Sequence, residues 1–232
     1  MNSYSHLVLA KQLEPYLKPE YSGEFLWGAV VPDIRYLTGM PRNQTHLSRD
    51  KIKLALSRYP HLRSFILGYL VHCLLDELDL SRIIGRKFPI SVLRTKLSQQ
   101  KIAVLVELYY QEFVRIDLDI QGTQNNFMFD LGIDQGHIET FASLLNQYLS
   151  DPSVKSMVAV FQNLGFFEDS RIQKYIRAAE SLDRNWLVKN LLFLSVKRAR
   201  INQIATSHVL SSLTEFDIVT QDMEPRGFIE KH

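Results

Sequence analysis

Apolar positions recur along the chain at helical intervals. In residues 5–17, His6, Ala10, Leu13 and Leu17 fall three or four apart on one stripe, and Ser3 or Ser5 can cap the start. Residues 23–31 (GEFLWGAVV) predict a helix that Pro32 stops, because the residue before a proline avoids the helical region. Residues 32–48 carry two Pro, one Gly and several polar side chains and predict a loop. A short helix follows at 49–59. Residues 62–80 (LRSFILGYLVHCLLDELDL) are apolar nearly all round, the mark of a buried helix. A longer, bent or broken helix is expected at 92–119 and a loop at 120–134. Further helices follow at 135–149, 152–163, 169–181, 184–200 and 203–215, with Asp151-Pro152 breaking the first pair. No repeat, low-complexity linker or composition shift divides the chain. The pattern predicts one all-α domain over 1–215 and a loosely ordered tail over 216–232.

Composition narrows the function classes. The chain has 232 residues, a size suited to one domain, with 46% hydrophobic and 22% charged residues, which excludes a disordered chain. Lys plus Arg number 27 against 25 Asp plus Glu, so the net charge of +2 gives no general pull toward nucleic acid or anionic membrane. The lone cysteine, Cys73, excludes an internal disulfide. No stretch reads as a signal peptide or a membrane span, so a cytoplasmic protein is expected.

Two ionisable residues interrupt the buried helix. His72 and Asp76 stand four apart and share a helix face, with Gly68 one turn earlier on the same stripe, where it would leave room beside them. A buried carboxylate needs compensation, by a metal ion or by a simple His–Asp hydrogen bond in the core. His6 adds an imidazole on the inward stripe of the first helix. Asp33 follows Pro32 at the end of an apolar run, and His46 follows Thr45 in the polar loop. Taken together, His6, Asp33, His46, His72 and Asp76 have the ligand chemistry of a hydrolytic zinc site.

Four short motifs carry a resemblance: SHLVLA at 5–10, FLWGAVVPDI at 25–34, TH at 45–46 and GYLVHCLLD at 68–76. In order, spacing and context they resemble the zinc-dependent phospholipase C family. That group includes bacterial phospholipases C and is similar to the single-strand nucleases and to the N-terminal domain of glycosylphosphatidylinositol-specific phospholipase D. The resemblance covers about the first 80 residues. It implies an all-α fold with zinc ions in a cleft. Asp33, His46, His72 and Asp76 would make one four-ligand site. Asp76 would bridge to a second metal held also by His6, and Asp33 would act as general base toward a metal-bound water. In the secreted enzymes the second metal also takes the chain's amino terminus.

The chain departs from the family after Asp76. The residues Glu77, Leu78, Asp79, Leu80, Ser81 and Arg82 include no histidine, and Leu108 stands four before Glu112 where a His-x-x-x-Glu pair is expected. The resemblance thus implies one or two zinc ions, with the third site absent or reduced. Arg82 would supply a substitute positive charge or be a plain surface arginine. Arg35, Arg42, Arg49, Lys51 and Lys53 crowd the loop around Asp33 and His46, where they would draw in a phosphate or simply make a charged surface.

The expected function is a metal-dependent phosphodiester hydrolase using a metal-activated water on a small phosphodiester or phospholipid-like substrate, with no specific nucleic-acid partner. The alternative is a non-catalytic helical protein with a structural or vestigial metal site. An HD-type phosphohydrolase is disfavoured, because no His-Asp dipeptide occurs.

Overall fold

The computed structural model describes residues 3–85, 99–116, 118–163 and 170–216. Among them no strand occurs, and the architecture is all-α. The first half holds α1 (Ser3–Leu17), α2 (Ser22–Gly28), the single turns α3 (Arg35–Thr38) and α4 (Arg42–Thr45), α5 (Arg49–Arg58), α6 (Arg63–Asp76) and α7 (Leu80–Gly85). The second half holds α8 (Gln99–Phe113), α9 (Asn126–Asp130), α10 (Gln135–Ser150), α11 (Val154–Asn163), α12 (Ser170–Arg184), α13 (Trp186–Arg198) and α14 (Ile201–Leu213). Short 3-10 turns stand at Val31–Ile34, Pro60–Leu62 and Thr214–Phe216.

Burial explains the layout. The helix α6 is buried at every residue from Ser64 to His72, as its apolar run predicts. The helix α1 is buried continuously from Tyr4 to Ala10, not along one stripe, because α6, α8, α14 and α2 all pack on it. Among the described residues the most extensive contact is α2 on α6. Its closeness rests on two glycines. A Cβ on Gly28 would stand 2.0 Å from the Phe65 carbonyl oxygen, and one on Gly68 would stand 1.9 Å from that of Phe25. The space at Gly68 is therefore filled by the backbone of α2 and is not room for a ligand, contrary to the expectation from sequence.

Several boundaries differ from the sequence reading. The second helix ends at Gly28, and Pro32 stands second in a 3-10 turn, where its missing N–H costs nothing. The predicted loop at 32–48 contains that turn together with α3 and α4. The segment 62–80 ends its helix at Asp76, and α7 begins four residues later. Of the predicted helix at 92–119, residues 92–98 lie outside the described residues and the described part stops at Phe113. Within the predicted loop at 120–134, Asn125 caps α9 by accepting the Met128 N–H at 3.0 Å, and Phe127 and Met128 are buried. Beyond Phe216 the predicted tail lies outside the described residues.

In the irregular residues 114–116 and 118–125, side chains from elsewhere satisfy several backbone groups. Tyr4 Oη donates to the Val114 carbonyl at 2.7 Å, and Trp27 Nε1 donates to that of Thr123 at 3.2 Å. The Asn146 amide pairs with both the N–H and the carbonyl of Ile120, each at 2.9 Å.

Candidate metal centre

His6, Asp33, His46, His72 and Asp76 converge from four elements. The first turns of α1 supply His6. The 3-10 turn at Val31–Ile34 supplies Asp33, the end of α4 supplies His46, and the last two turns of α6 supply His72 and Asp76. His6 and His72 are wholly buried, and Asp33 is 5% exposed.

His72 Nε2 lies 3.2 Å from His46 Nε2 and 3.9 Å from both Asp33 Oδ1 and Asp76 Oδ2. Asp76 uses both oxygens: Oδ2 is 3.2 Å from His46 Nε2, and Oδ1 is 3.3 Å from His6 Nε2. The His6 and His72 rings stack, with centroids 3.9 Å apart and planes 12° off parallel. The ligating atoms of His6, Asp33 and His72 lie within 4.8 Å of one another, as do those of His46, His72 and Asp76.

The protonation pattern suits a cation. Burial pushes His6 down to about 4, aided by neighbouring His72. Burial likewise pushes His72 down to about 3, against the pull of the Asp76 carboxylate. Both rings are therefore neutral near pH 7. The Ala29 carbonyl oxygen lies 2.8 Å from His72 Nδ1 and accepts its proton, which leaves the Nε2 lone pair facing the cluster. Burial raises Asp76, but the His46 and His6 hydrogen bonds outweigh it and hold the carboxyl well below the usual range. Neutral imidazoles and an ionised carboxylate are zinc's preferred partners. With ligands about 2.0–2.1 Å away, a tetrahedral ion sets its donors about 3.3 Å apart. The separations of 3.2 and 3.3 Å match that spacing, and the two of 3.9 Å are wider. The donor set fits a metal ion.

Residues 5–77 match the family zinc dependent phospholipase C. The match ends at the close of α6 and spans every one of the five residues, so the zinc-dependent phospholipase C-like segment and the cluster coincide. Comparison with curated proteins and with solved structures gives no match.

The basic residues near this segment separate into different roles. Arg49 is held between Glu77 at 2.7 Å and Glu215 at 2.6 Å. Arg35 lies over the Tyr36 ring, 4.1 Å from its centroid, and donates to the phenol oxygen at 2.5 Å. Lys53 lies over Phe216, and Lys51 is exposed. Arg42 reaches the cluster itself, with Nη2 2.6 Å from Asp76 Oδ2. Arg82 is exposed on α7, where its backbone N–H bonds Asp79. Glu112 is exposed and pairs with Lys189 at 3.0 Å.

Cys73 and three further histidines have other surroundings. Burial pushes the Cys73 thiol up, as befits a core thiol. His61 is exposed, and His137 pairs with Asp134 at 2.6 Å. His208 Nε2 contacts the Leu74 carbonyl at the end of α6, 3.1 Å away.

One buried group escaped the sequence reading. Glu107, on α8, is 1% exposed. Its Oε2 accepts the Ser5 N–H at 3.0 Å and the Ser5 hydroxyl, and its Oε1 accepts the Tyr148 hydroxyl at 2.7 Å. Gln111 donates in turn to the Tyr148 oxygen. Burial pushes Glu107 up, and the Ser5 and Tyr148 hydrogen bonds pull it back. The carboxylate caps the N-terminal turn of α1, next to His6, where the helix dipole favours negative charge. The available signal was a single acid in the apolar run IAVLVELYY.

Proposed function

We propose that the protein is a zinc-dependent phosphodiester hydrolase whose substrate is a phospholipid-like or other small phosphodiester. The observation that supports this reading is that two groups of candidate ligands, His6–Asp33–His72 and His46–His72–Asp76, share His72 inside the segment that matches the family. His72 Nε2 belongs to both groups of candidate ligands, and one lone pair serves one ion. We assign Asp33, His46, His72 and Asp76 Oδ2 to one ion, the set that the family resemblance implies. Asp76 Oδ1 and His6 Nε2 remain for a second.

Zinc in that position would act as a Lewis acid, making water acidic and neutralising charge on a phosphate. The chain's own residues do the rest. Ala29 fixes the His72 tautomer. Asp33 keeps its Oδ2 turned toward Ser3 Oγ, 3.2 Å away, and in this reading takes the proton of the attacking water there. The stacked His6 and His72 rings are both wholly buried.

The test is metal content with turnover. The purified protein should carry zinc, His72→Ala should lose most of it, and a chromogenic phosphodiester should be hydrolysed until a chelator is added and again once zinc is restored. Absence of bound metal after zinc loading would sink the ligand assignment. Zinc bound without turnover of any diester class would favour a non-catalytic protein.

A further inference from the structure

The Asp76 oxygen that faces His46 and His72 is also the one that meets Arg42. Arg42 Nη2 is 2.6 Å from Asp76 Oδ2, shorter than the 3.2 Å from the same oxygen to His46 Nε2. The carboxylate is nearly buried, with its side chain 8% exposed, whereas the Arg42 side chain is 51% exposed. Arg42 opens the single-turn helix that follows Pro41 and precedes His46, at the rim of the cluster. The guanidinium thus leans in from solvent onto an atom assigned above to a metal ion.

Two cations cannot share that oxygen without repulsion, and the guanidinium is the one that can leave. Half of its side chain is already in water, whereas Asp76 is held in the fold. Arg42 is also anchored differently from its neighbours. Arg49 is divided between Glu77 and Glu215, and Arg35 is engaged with Tyr36. Once released, a planar guanidinium fork at the rim matches two phosphate oxygens, a geometry that a lysine ammonium does not reproduce.

We propose that Arg42 is an exchangeable cation: it neutralises Asp76 while metal is absent, and it binds phosphate oxygens of the substrate once metal is present. This rests on the hydrolase reading above and adds to it a second, protein-borne positive charge for the phosphate.

The test uses the full chain, stripped of metal and then reloaded, with Arg42→Gln and Arg42→Lys. Cobalt(II) uptake followed by visible absorbance, melting with and without zinc, and calorimetric binding of inorganic phosphate are the readouts. Arg42→Gln should bind cobalt more tightly than the parent, melt lower only when metal-free, and lose about tenfold or more in phosphate affinity when zinc-loaded. Arg42→Lys should keep the parent's metal-free melting point yet lose phosphate affinity, because charge alone holds Asp76 but not the bidentate phosphate. Equal cobalt and phosphate affinities in parent and Arg42→Gln would overturn the proposal. So would a melting difference that persists after zinc loading, the sign of a purely structural ion pair. Failure of the parent itself to take up cobalt would overturn the hydrolase reading together with this one.

Discussion

His72 hangs from Ala29. The carbonyl of Ala29, just past the end of α2, accepts the His72 Nδ1 proton at 2.8 Å, so the backbone of one helix sets which nitrogen of the other faces the cluster. The bond exists because α2 and α6 pass with their backbones in contact at Gly28 and Gly68. The orientation of His72 in the cluster therefore depends on a helix crossing.

Widening that crossing should disable the centre. In Gly68→Ala the new methyl lies 1.9 Å from the Phe25 carbonyl oxygen, so α2 must move and Ala29 moves with it. Destabilisation at or above the usual overpacking range of about 1–3 kcal/mol is expected, with weaker zinc binding. Gly23→Ala is the control, since a methyl there meets nothing within 4 Å. Urea midpoints and zinc titration read both variants, and an unperturbed Gly68→Ala would contradict the crossing argument.

Acid should weaken the metal-free protein well before its carboxylates titrate. Folded His6 is held down at about 4 and His72 at about 3. An unfolded histidine titrates near about 6.5, so between these values the unfolded chain binds protons that the folded chain refuses. This contribution is complete above about pH 6.5 and is lost as the pH falls toward 4 and below, by up to about 1.4 kcal/mol per unit for each histidine. Asp76, held low, adds its own loss below about pH 4. Glu107, pushed up by burial, works in the opposite sense while its own carboxyl ionises. Equal urea midpoints at pH 7.5 and pH 5 would show that the two rings are not kept neutral.

Removing Glu107 should cost stability through the groups it leaves behind. Glu107→Ala strips partners from the Ser5 N–H, the Ser5 hydroxyl and the Tyr148 hydroxyl, all in buried surroundings. At about 1–3 kcal/mol for each buried unsatisfied group, a loss of about 3 kcal/mol or more is expected. Glu107→Gln, which retains an acceptor, should lose less. A change below about 0.5 kcal/mol for the Ala variant, the range of ordinary surface substitutions, would show that the network carries no weight.

Asp33→Asn separates proton transfer from folding. The amide preserves shape and the contact with Ser3 but accepts no proton. Hydrolysis of a chromogenic diester by the zinc-loaded variant should fall by about 100-fold or more, the usual contribution of general base catalysis. Its melting temperature should stay near that of the parent. Undiminished turnover in the Asn variant would remove Asp33 from the reaction.

The amino-acid sequence alone determined much of this protein. Helical periodicity and a sparse supply of Gly and Pro specify an all-α chain, because both act within a few residues. The spacing of His72 and Asp76 puts them on one face through the geometry of a single helix. The four short motifs between residues 5 and 76 name all five members of the cluster. Tertiary structure decided the rest. Gly68 reads identically in sequence whether the space beside it receives an ion or a carbonyl, and only the position of α2 shows that it is the Phe25 backbone. Five basic residues look alike in a polar loop, yet long-range partners such as Glu215 and Phe216 draw Arg49 and Lys53 away and leave Arg42 on Asp76. Glu107 and Ser5 are 102 positions apart and meet because α8 packs on α1. Local patterns set what each helix is, and the packing of one helix on another sets what each polar side chain meets.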